Sequence, residues 1–150
     1  MRKLVCVSMI VALLVSMTVV LAIAQTKGAT KLTKENAGGL LKGTWSGRMD
    51  FGTTGLNCLF VMTIDNDAPP FKGKLSMQNI PAGRADLFPG GFSGNTYEGP
   101  FDNGLITNKG TLIITGQGGN FGEWTLKNEK QLGGWFYFYG SQGTFNLKKK

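Results

Sequence analysis

The fold class is decided by residues 134–147, which read GWFYFYGSQGTFNL. Two runs rich in aromatic and β-branched residues, 134–139 and 144–148, flank a short segment of glycine and polar residues at 140–143. Aromatic and β-branched side chains favour strands, and small polar residues between two such runs are typical of a hairpin loop. The stretch therefore predicts two antiparallel strands.

The same pattern recurs along the chain from Gly43 onward, and no long segment keeps a helical period. The Asn103-Gly104 pair suits a two-residue type I′ hairpin, because both residues tolerate positive φ, and residues 128–131 suit another loop. The further predicted strands are 43–51, 57–65, 72–80, 96–101, 105–108, 111–116 and 122–127.

This pattern predicts an all-β domain over residues 42–150, built as one antiparallel meander of eight or nine strands. Closure into a small barrel would remove the exposed edges of such a meander, and a two-sheet β-sandwich is the alternative. Residues 81–95 are predicted to form a long loop, because six of them are glycine or proline and several are large apolar residues. That loop either packs back on its own domain or covers a cavity mouth, where Phe88 and Phe92 would contact a ligand.

The first 24 residues are predicted to be a signal peptide. Arg2 and Lys3 precede an uncharged stretch, residues 4–24, which ends in Ala22-Ile23-Ala24. The mature chain would then begin at Gln25, outside the cytoplasm, in the periplasm or the extracellular space. The alternative is an uncleaved membrane anchor formed by residues 4–24, because the stretch is long enough to span a bilayer.

Residues 25–41 are rich in Lys, Thr and Gly and are predicted to be a flexible linker. The chain has 16 Lys and Arg against 9 Asp and Glu, for a net charge of +7. Many of the basic residues fall in this segment and at Lys148, Lys149 and Lys150, which indicates solvated tails or a loose attraction to anionic envelope surfaces. Nothing in the sequence indicates nucleic-acid binding.

The triplet Gly43-Thr44-Trp45 opens the first predicted strand. It resembles the Gly-x-Trp start of lipocalins and the Gly-Thr-Trp start of avidins, two calycin-like families of small β-barrels. In those families the Trp closes the barrel floor, so the resemblance implies that role for Trp45. The sequence departs from lipocalins in lacking a Thr-Asp-Tyr motif and a recognisable late basic residue against the Trp, and from avidins in lacking their biotin-holding polar residues.

The residue content argues against an enzyme. The chain has no histidine, so a Ser-His-Asp triad and a zinc site of Cys and His are excluded, and no metal or other cofactor is expected. The carboxylates stand mainly at strand ends and loops, and the run Asp65-Asn66-Asp67 is typical of a turn with Asx hydrogen bonds. Cys58 lies among apolar residues and is expected to be a buried thiol.

Two binding functions follow from this interpretation. Alternation in residues 135–139 puts Phe136 and Phe138 on the inner face and Trp135, Tyr137 and Tyr139 on the outer face. The first hypothesis is a lipocalin-like envelope protein that holds a small apolar ligand in the barrel mouth. The second is a structural or interaction module with a filled barrel, which binds an envelope protein through the outer aromatic residues.

Overall fold

The computed structural model describes residues 28–52, 54–80 and 95–150. The predicted export segment, residues 4–24, lies outside the described residues, and so do Phe88 and Phe92. The described chain forms eight antiparallel strands that close into one barrel in sequence order. The predicted closed meander is confirmed, and the sandwich is excluded. The strands are β1 Gly43–Phe51, β2 Leu56–Ile64, β3 Phe71–Gln78, β4 Thr96–Ile106, β5 Leu112–Thr115, β6 Phe121–Asn128, β7 Gln131–Phe138 and β8 Ser141–Lys149.

The barrel closes where β1 pairs with β8, with Trp45 opposite Lys149 and Asp50 opposite Thr144. We call the end where β1 begins the floor and the end where β1 finishes the mouth. Inward side chains alternate with outward ones along each strand, as β8 shows in its buried Phe145 and Leu147 and exposed Thr144 and Asn146. Closure satisfies the backbone groups that an open sheet would leave at its edges.

The hairpin predicted at Asn103-Gly104 is wrong, because β4 runs unbroken from Thr96 to Ile106. The Asn103 side chain instead replaces a backbone partner: its Nδ2 donates to the Thr115 carbonyl at 3.0 Å, and its Oδ1 accepts from the Thr115 N–H at 2.9 Å. Gly104 is needed for packing, since a Cβ at this position would lie 2.8 Å from the Cβ of Phe71. The two residues therefore serve close approach and pairing instead of a turn.

The loop predicted at 140–143 is also placed differently. Strand β7 ends at Phe138 and β8 begins at Ser141, so the connection is the two-residue turn Tyr139-Gly140. Both residues have positive φ, 43° for Tyr139 and 91° for Gly140, as a tight hairpin turn between twisted strands requires. Because Tyr139 is in the turn, it no longer follows the alternation of β7.

The segment from Gly28 to Leu41, expected to be part of a flexible linker, instead packs over the floor of the barrel. The Thr30 N–H donates to the Leu126 carbonyl at 2.9 Å, and Leu32 and Leu41 are buried in the core. A short helix, α1 Ala37–Leu41, follows. The packed domain thus begins before residue 42, because apolar side chains spaced among polar ones give residues 28–41 a buried face. No helix within the described ranges is long and apolar enough to cross a membrane.

Candidate functional site

Aromatic rings fill the middle of the barrel. The Phe60 ring lies 5.7 Å from that of Phe136 and 5.3 Å from that of Phe145, between centroids. Trp124 packs on the same two rings, at 5.7 and 5.4 Å. An eight-stranded barrel either fills its interior with side chains or holds one small ligand there, and in this barrel large side chains occupy the centre.

A second ring cluster lies at the mouth. Tyr97 contacts Phe138 at 4.9 Å and Tyr139 at 6.1 Å between centroids, both edge to face. The buried Asn120 holds the turn, because its Oδ1 accepts the Tyr139 N–H at 2.8 Å. Burial raises the pKa of the Tyr97 phenol, an effect that the nearby Asn120 side chain opposes and Tyr139 reinforces. The Tyr97 hydroxyl is therefore neutral at physiological pH.

Trp45 lies at the floor, fully buried beneath α1. Its Nε1 donates to the Leu41 carbonyl at 2.7 Å. The Lys149 ammonium lies 5.3 Å from the Trp45 ring centroid and donates to the Leu40 carbonyl at 2.7 Å. Lys149 is therefore a late basic residue that lies against Trp45. The sequence alone had shown no recognisable residue of this kind.

The outer wall of β4 to β7 carries a group of apolar side chains that we call the outer strip: Leu105, Ile113, Phe121, Trp135 and Tyr137. The first three are the exposed large hydrophobic residues of the described chain, at 55%, 41% and 42% of their full accessibility. The Phe121 ring lies 5.4 Å from both the Trp135 and Tyr137 rings. Leu105 pairs with Ile113 across β4 and β5, and Glu123 lies between Ile113 and Trp135, so the strip spans four strands with one carboxylate inside it.

The outer strip includes only two of the three aromatic residues predicted for a contact surface. Trp135 and Tyr137 lie in it, half-buried by their neighbours, whereas Tyr139 turns back onto the mouth cluster. Phe121, Ile113 and Leu105 were missed by the sequence interpretation. The run Leu112, Ile113 and Ile114 gave a partial signal, since three consecutive apolar residues on a barrel strand must expose either the middle one or the outer two.

The titratable groups of the described residues do not form a cluster of metal-ligating side chains. Burial raises the pKa of the Cys58 thiol to about 11, with Arg48 acting in the opposite direction. The Glu123 carboxylate accepts a hydrogen bond from the Thr111 hydroxyl at 2.7 Å, and Glu98 pairs with Lys74 at 3.4 Å. Over the described ranges, no group of three Cys, Asp or Glu side chains is placed to hold a metal ion.

Among the described strands, β4 and β5 share the shortest pairing. These strands pair at only two positions, Leu105 with Ile113 and Ile106 with Leu112. Beyond the Asn103 side chain, a surface depression of about 260 Å³ is lined by Pro100, Phe101, Asp102, Asn103, Thr115 and Gly116. The depression lies beside the outer strip and contains one carboxylate, that of Asp102.

Comparison with known proteins supports the architecture and no family. No family model matches the sequence, and no curated protein matches it. Among solved structures, a de novo designed fluorescence-activating β-barrel matches with a TM-score of 0.53 and 14% sequence identity, over 77% of this chain and 98% of the designed one. At this identity the likeness shows the small-barrel fold alone.

Proposed function

We propose that this protein is an exported, non-enzymatic binding protein that contacts a partner protein through the outer strip. The observation that carries the proposal is the Phe121 ring, which contacts both Trp135 and Tyr137 on the outside of the barrel and stays 42% exposed. Clustered exposed aromatic residues mark interaction sites, because rings supply large contact areas at a low cost in side-chain entropy.

The filled interior supports an outer site over an internal one. Four rings meet at the centre of the barrel, and the inward residues of all eight strands are buried. Moving this side-chain volume to admit a guest would cost the packing energy of several aromatic side chains. Contact through the outer strip requires no such rearrangement.

The charge pattern of the outer strip indicates the kind of partner. None of the five strip positions is basic, although the whole chain carries a net charge of +7. Glu123 pairs with Ile113 on one side and with Trp135 on the other, so a half-buried carboxylate lies within the strip. The surface therefore fits an apolar protein surface that places one Lys or Arg against Glu123.

Site-specific photocrosslinking in the native host tests this proposal. A photoreactive phenylalanine analogue at Tyr137 should capture one discrete partner, and the same analogue at Lys74, exposed on β3 outside the strip, should not. Phe121→Ser should then weaken the purified complex by about thirty-fold or more, because aromatic anchors at interfaces contribute about 2 kcal/mol or more. The same product at both positions, or no product at Tyr137, would refute an outer-strip partner.

Export is a separate part of the proposal, supported by the arrangement of residues 1–24 in the sequence. The mature chain would begin at Gln25 and function in the periplasm or outside the cell. Intact mass of the protein isolated from its host tests this step. A mass for residues 25–150 supports cleavage, a mass for residues 1–150 in the membrane fraction supports the anchor, and the full-length mass in the cytoplasm contradicts export.

A small apolar ligand that enters through the mouth and reaches the centre of the barrel is the second candidate, which one observation favours. The Trp124 indole N–H is fully buried and has no hydrogen-bond acceptor among the described residues. A buried donor without a partner costs about 1–3 kcal/mol, which an oxygen atom of water or of a guest could recover. Native mass spectrometry of the protein isolated from its host tests this function. A bound molecule that is absent from the Phe138→Trp variant, whose larger ring narrows the mouth, would support ligand binding. Wild-type protein with no bound molecule would contradict it.

A further inference from the structure

Charged side chains are distributed unevenly between the two ends of the barrel. In the described mouth loops, 52, 54–55, 79–80, 95, 116–120 and 139–140, no residue is charged, and within two residues of a strand end there the charged residues are the carboxylates Asp50, Glu98 and Glu123. Ten lysines lie in the floor loops or within two residues of a strand end there, against four carboxylates at Glu35, Asp65, Asp67 and Glu129. These lysines are Lys31, Lys34, Lys42, Lys72, Lys109, Lys127, Lys130, Lys148, Lys149 and Lys150.

The floor lysines are not neutralised by neighbouring carboxylates. Within the described part of the chain, the ion pair that forms within 4.0 Å joins Lys74 to Glu98, on the side wall. Nine of the ten floor lysines are exposed; Lys149, which packs on Trp45, is half-buried. The positive charge at this end is therefore available to a partner.

The lysines come from separate segments that surround the floor. They lie in the segment before β1, near the start of β3, in the β4–β5 and β6–β7 connections and at the end of β8. A closed barrel places these connections around one rim. Such a rim fits an extended, flat anionic surface better than a single small anion, which could reach only a few of the lysines.

The position of the N-terminal segment also relates the floor to a membrane. The Thr30 and Leu32 N–H groups donate to the Leu126 and Gly110 carbonyls, so Gly28 lies at the floor end. In the sequence, only residues 25–27 separate Gly28 from the uncharged stretch 4–24. Chain geometry allows at most about 3.6 Å per residue, so a floor tethered through this stretch would stay within roughly 15 Å of the bilayer.

We propose that the floor lysines dock the barrel on an anionic membrane surface through lipid headgroup phosphates, with the mouth directed away from the floor contact. Juxtamembrane lysines are attracted to anionic leaflets, and the attraction adds over several of them. The inference uses a different surface from the proposed partner contact. It holds whether residues 1–24 remain attached or are removed, because the charge lies on the folded domain.

Lysine footprinting on the protein as isolated from its host tests the proposal. The protein is mixed with vesicles of phosphatidylcholine alone or with added phosphatidylglycerol, and brief acetylation is read by mass spectrometry at Lys109, Lys130 and Lys74. The two floor lysines should be protected only by the anionic vesicles, whereas Lys74 on the wall should react equally in both. Protection should fall as salt is raised and should persist in inorganic phosphate at matched ionic strength.

Two charge-matched variants complete the test. Lys109→Gln with Lys130→Gln removes two floor charges, and Arg48→Gln with Lys74→Gln removes two wall charges; all four side chains are exposed. Each lysine near an anionic leaflet changes partitioning about five-fold, so the floor pair should weaken partitioning by roughly 25-fold and the wall pair by less than about three-fold.

Several outcomes would overturn membrane docking. Equal protection by neutral and anionic vesicles would show that floor charge is not recognised, and equal loss in both variants would show a general charge effect. Displacement by inorganic phosphate would indicate a small-anion site, and protection by soluble polyglutamate but not by vesicles would indicate an acidic protein. Loss of photocrosslinking at Tyr137 would refute the partner contact and leave this result unchanged.

Discussion

The ammonium group of Lys149 lies over the ring of Trp45, 5.3 Å from its centroid, across the pairing of the first and last strands. Each residue also holds one carbonyl at the end of α1: Trp45 donates to Leu41 and Lys149 donates to Leu40, both at 2.7 Å. The last carbonyls of a helix have no partner within it, so these side chains satisfy them. Barrel closure and coverage of the floor thus depend on the same two residues.

Replacing Trp45 should destabilise the whole domain. Trp45→Ala removes a fully buried ring and the hydrogen bond to Leu41, and a change of this kind costs about 3–5 kcal/mol of the free energy of unfolding. Trp45→Phe keeps a ring and loses the N–H donor, so it should cost about 1 kcal/mol from the hydrogen bond plus a smaller packing term. Urea unfolding measures both, and an unchanged midpoint for Trp45→Ala would contradict its role at the floor.

The contribution of Lys149 to the free energy of unfolding should rise with pH in the alkaline range. Burial lowers the pKa of Lys149 in the folded protein below its ordinary 10.5. At pH values between the pKa of Lys149 in the folded protein and its pKa in the unfolded chain, the folded state therefore binds fewer protons. By linkage, the folded state then gains stability as pH rises through that window. Urea midpoints of wild type and Lys149→Gln, compared up to pH 10.5, should diverge in favour of wild type; parallel curves would contradict the assignment.

Tyr137 and Tyr139 should respond differently to the same substitution. Tyr139 contacts Phe138 at 4.8 Å and Tyr97 at 6.1 Å between centroids, at the mouth, whereas Tyr137 packs on the outer surface against Phe121. Ring pairs contribute about 0.5–1.5 kcal/mol each, so Tyr139→Ser should destabilise by about 1 kcal/mol more than Tyr137→Ser. Thermal unfolding of the two variants gives the comparison, and a larger effect at Tyr137 would show that the outer strip is structural.

Asn103 should be required for the join between β4 and β5. Asn103→Ala removes both hydrogen bonds to the Thr115 backbone and should cost about 1 kcal/mol, since both bonds are exposed and water can replace the lost partner. The Thr115 amide should exchange its hydrogen faster in the variant. Asn103→Asp keeps the acceptor and loses the donor, so it should protect the Thr115 amide better than Ala does; equal exchange in all three proteins would contradict this role.

Cys58 should be nearly inert in the folded protein. A pKa raised from 9.0 to about 11 leaves about a hundred-fold less thiolate at pH 8, and burial slows access further. In a Cys6→Ser background, the reaction of Cys58 with a disulfide reagent should therefore accelerate at least a hundred-fold on unfolding in urea. A fast reaction in native buffer would show that the β2 wall opens.

The strand pattern could be predicted from the sequence because barrel strands alternate between a buried and an exposed face. The bounds of β1, 43–51, were predicted correctly, since Trp45, Met49 and Phe51 alternate with polar residues. The turns were harder to predict. Asn103-Gly104 has hairpin chemistry, but its function is set by Thr115 and Phe71, and Phe71 is more than 30 residues away in the sequence.

The outer strip could be predicted only in part, because it also depends on contacts between residues that are distant in the sequence. Alternation separated Trp135 and Tyr137 from the inward Phe136 and Phe138, but local pattern does not show which strands lie side by side. Phe121 joins the two rings through the pairing of β6 with β7. The cover over the floor was missed because only Leu32, Ala37 and Leu41 are buried in a segment that is otherwise polar and exposed.

The pairing of β1 with β8 has a consequence for how the domain folds. It joins Trp45 to Lys149, which are about 100 residues apart, so β1 is made long before its second neighbour exists. Contacts between residues so distant in sequence slow folding, because a long loop must close before any pairing energy is gained. During synthesis or translocation β1 has an unpaired edge, and the nascent chain is exposed to aggregation until the final strand emerges.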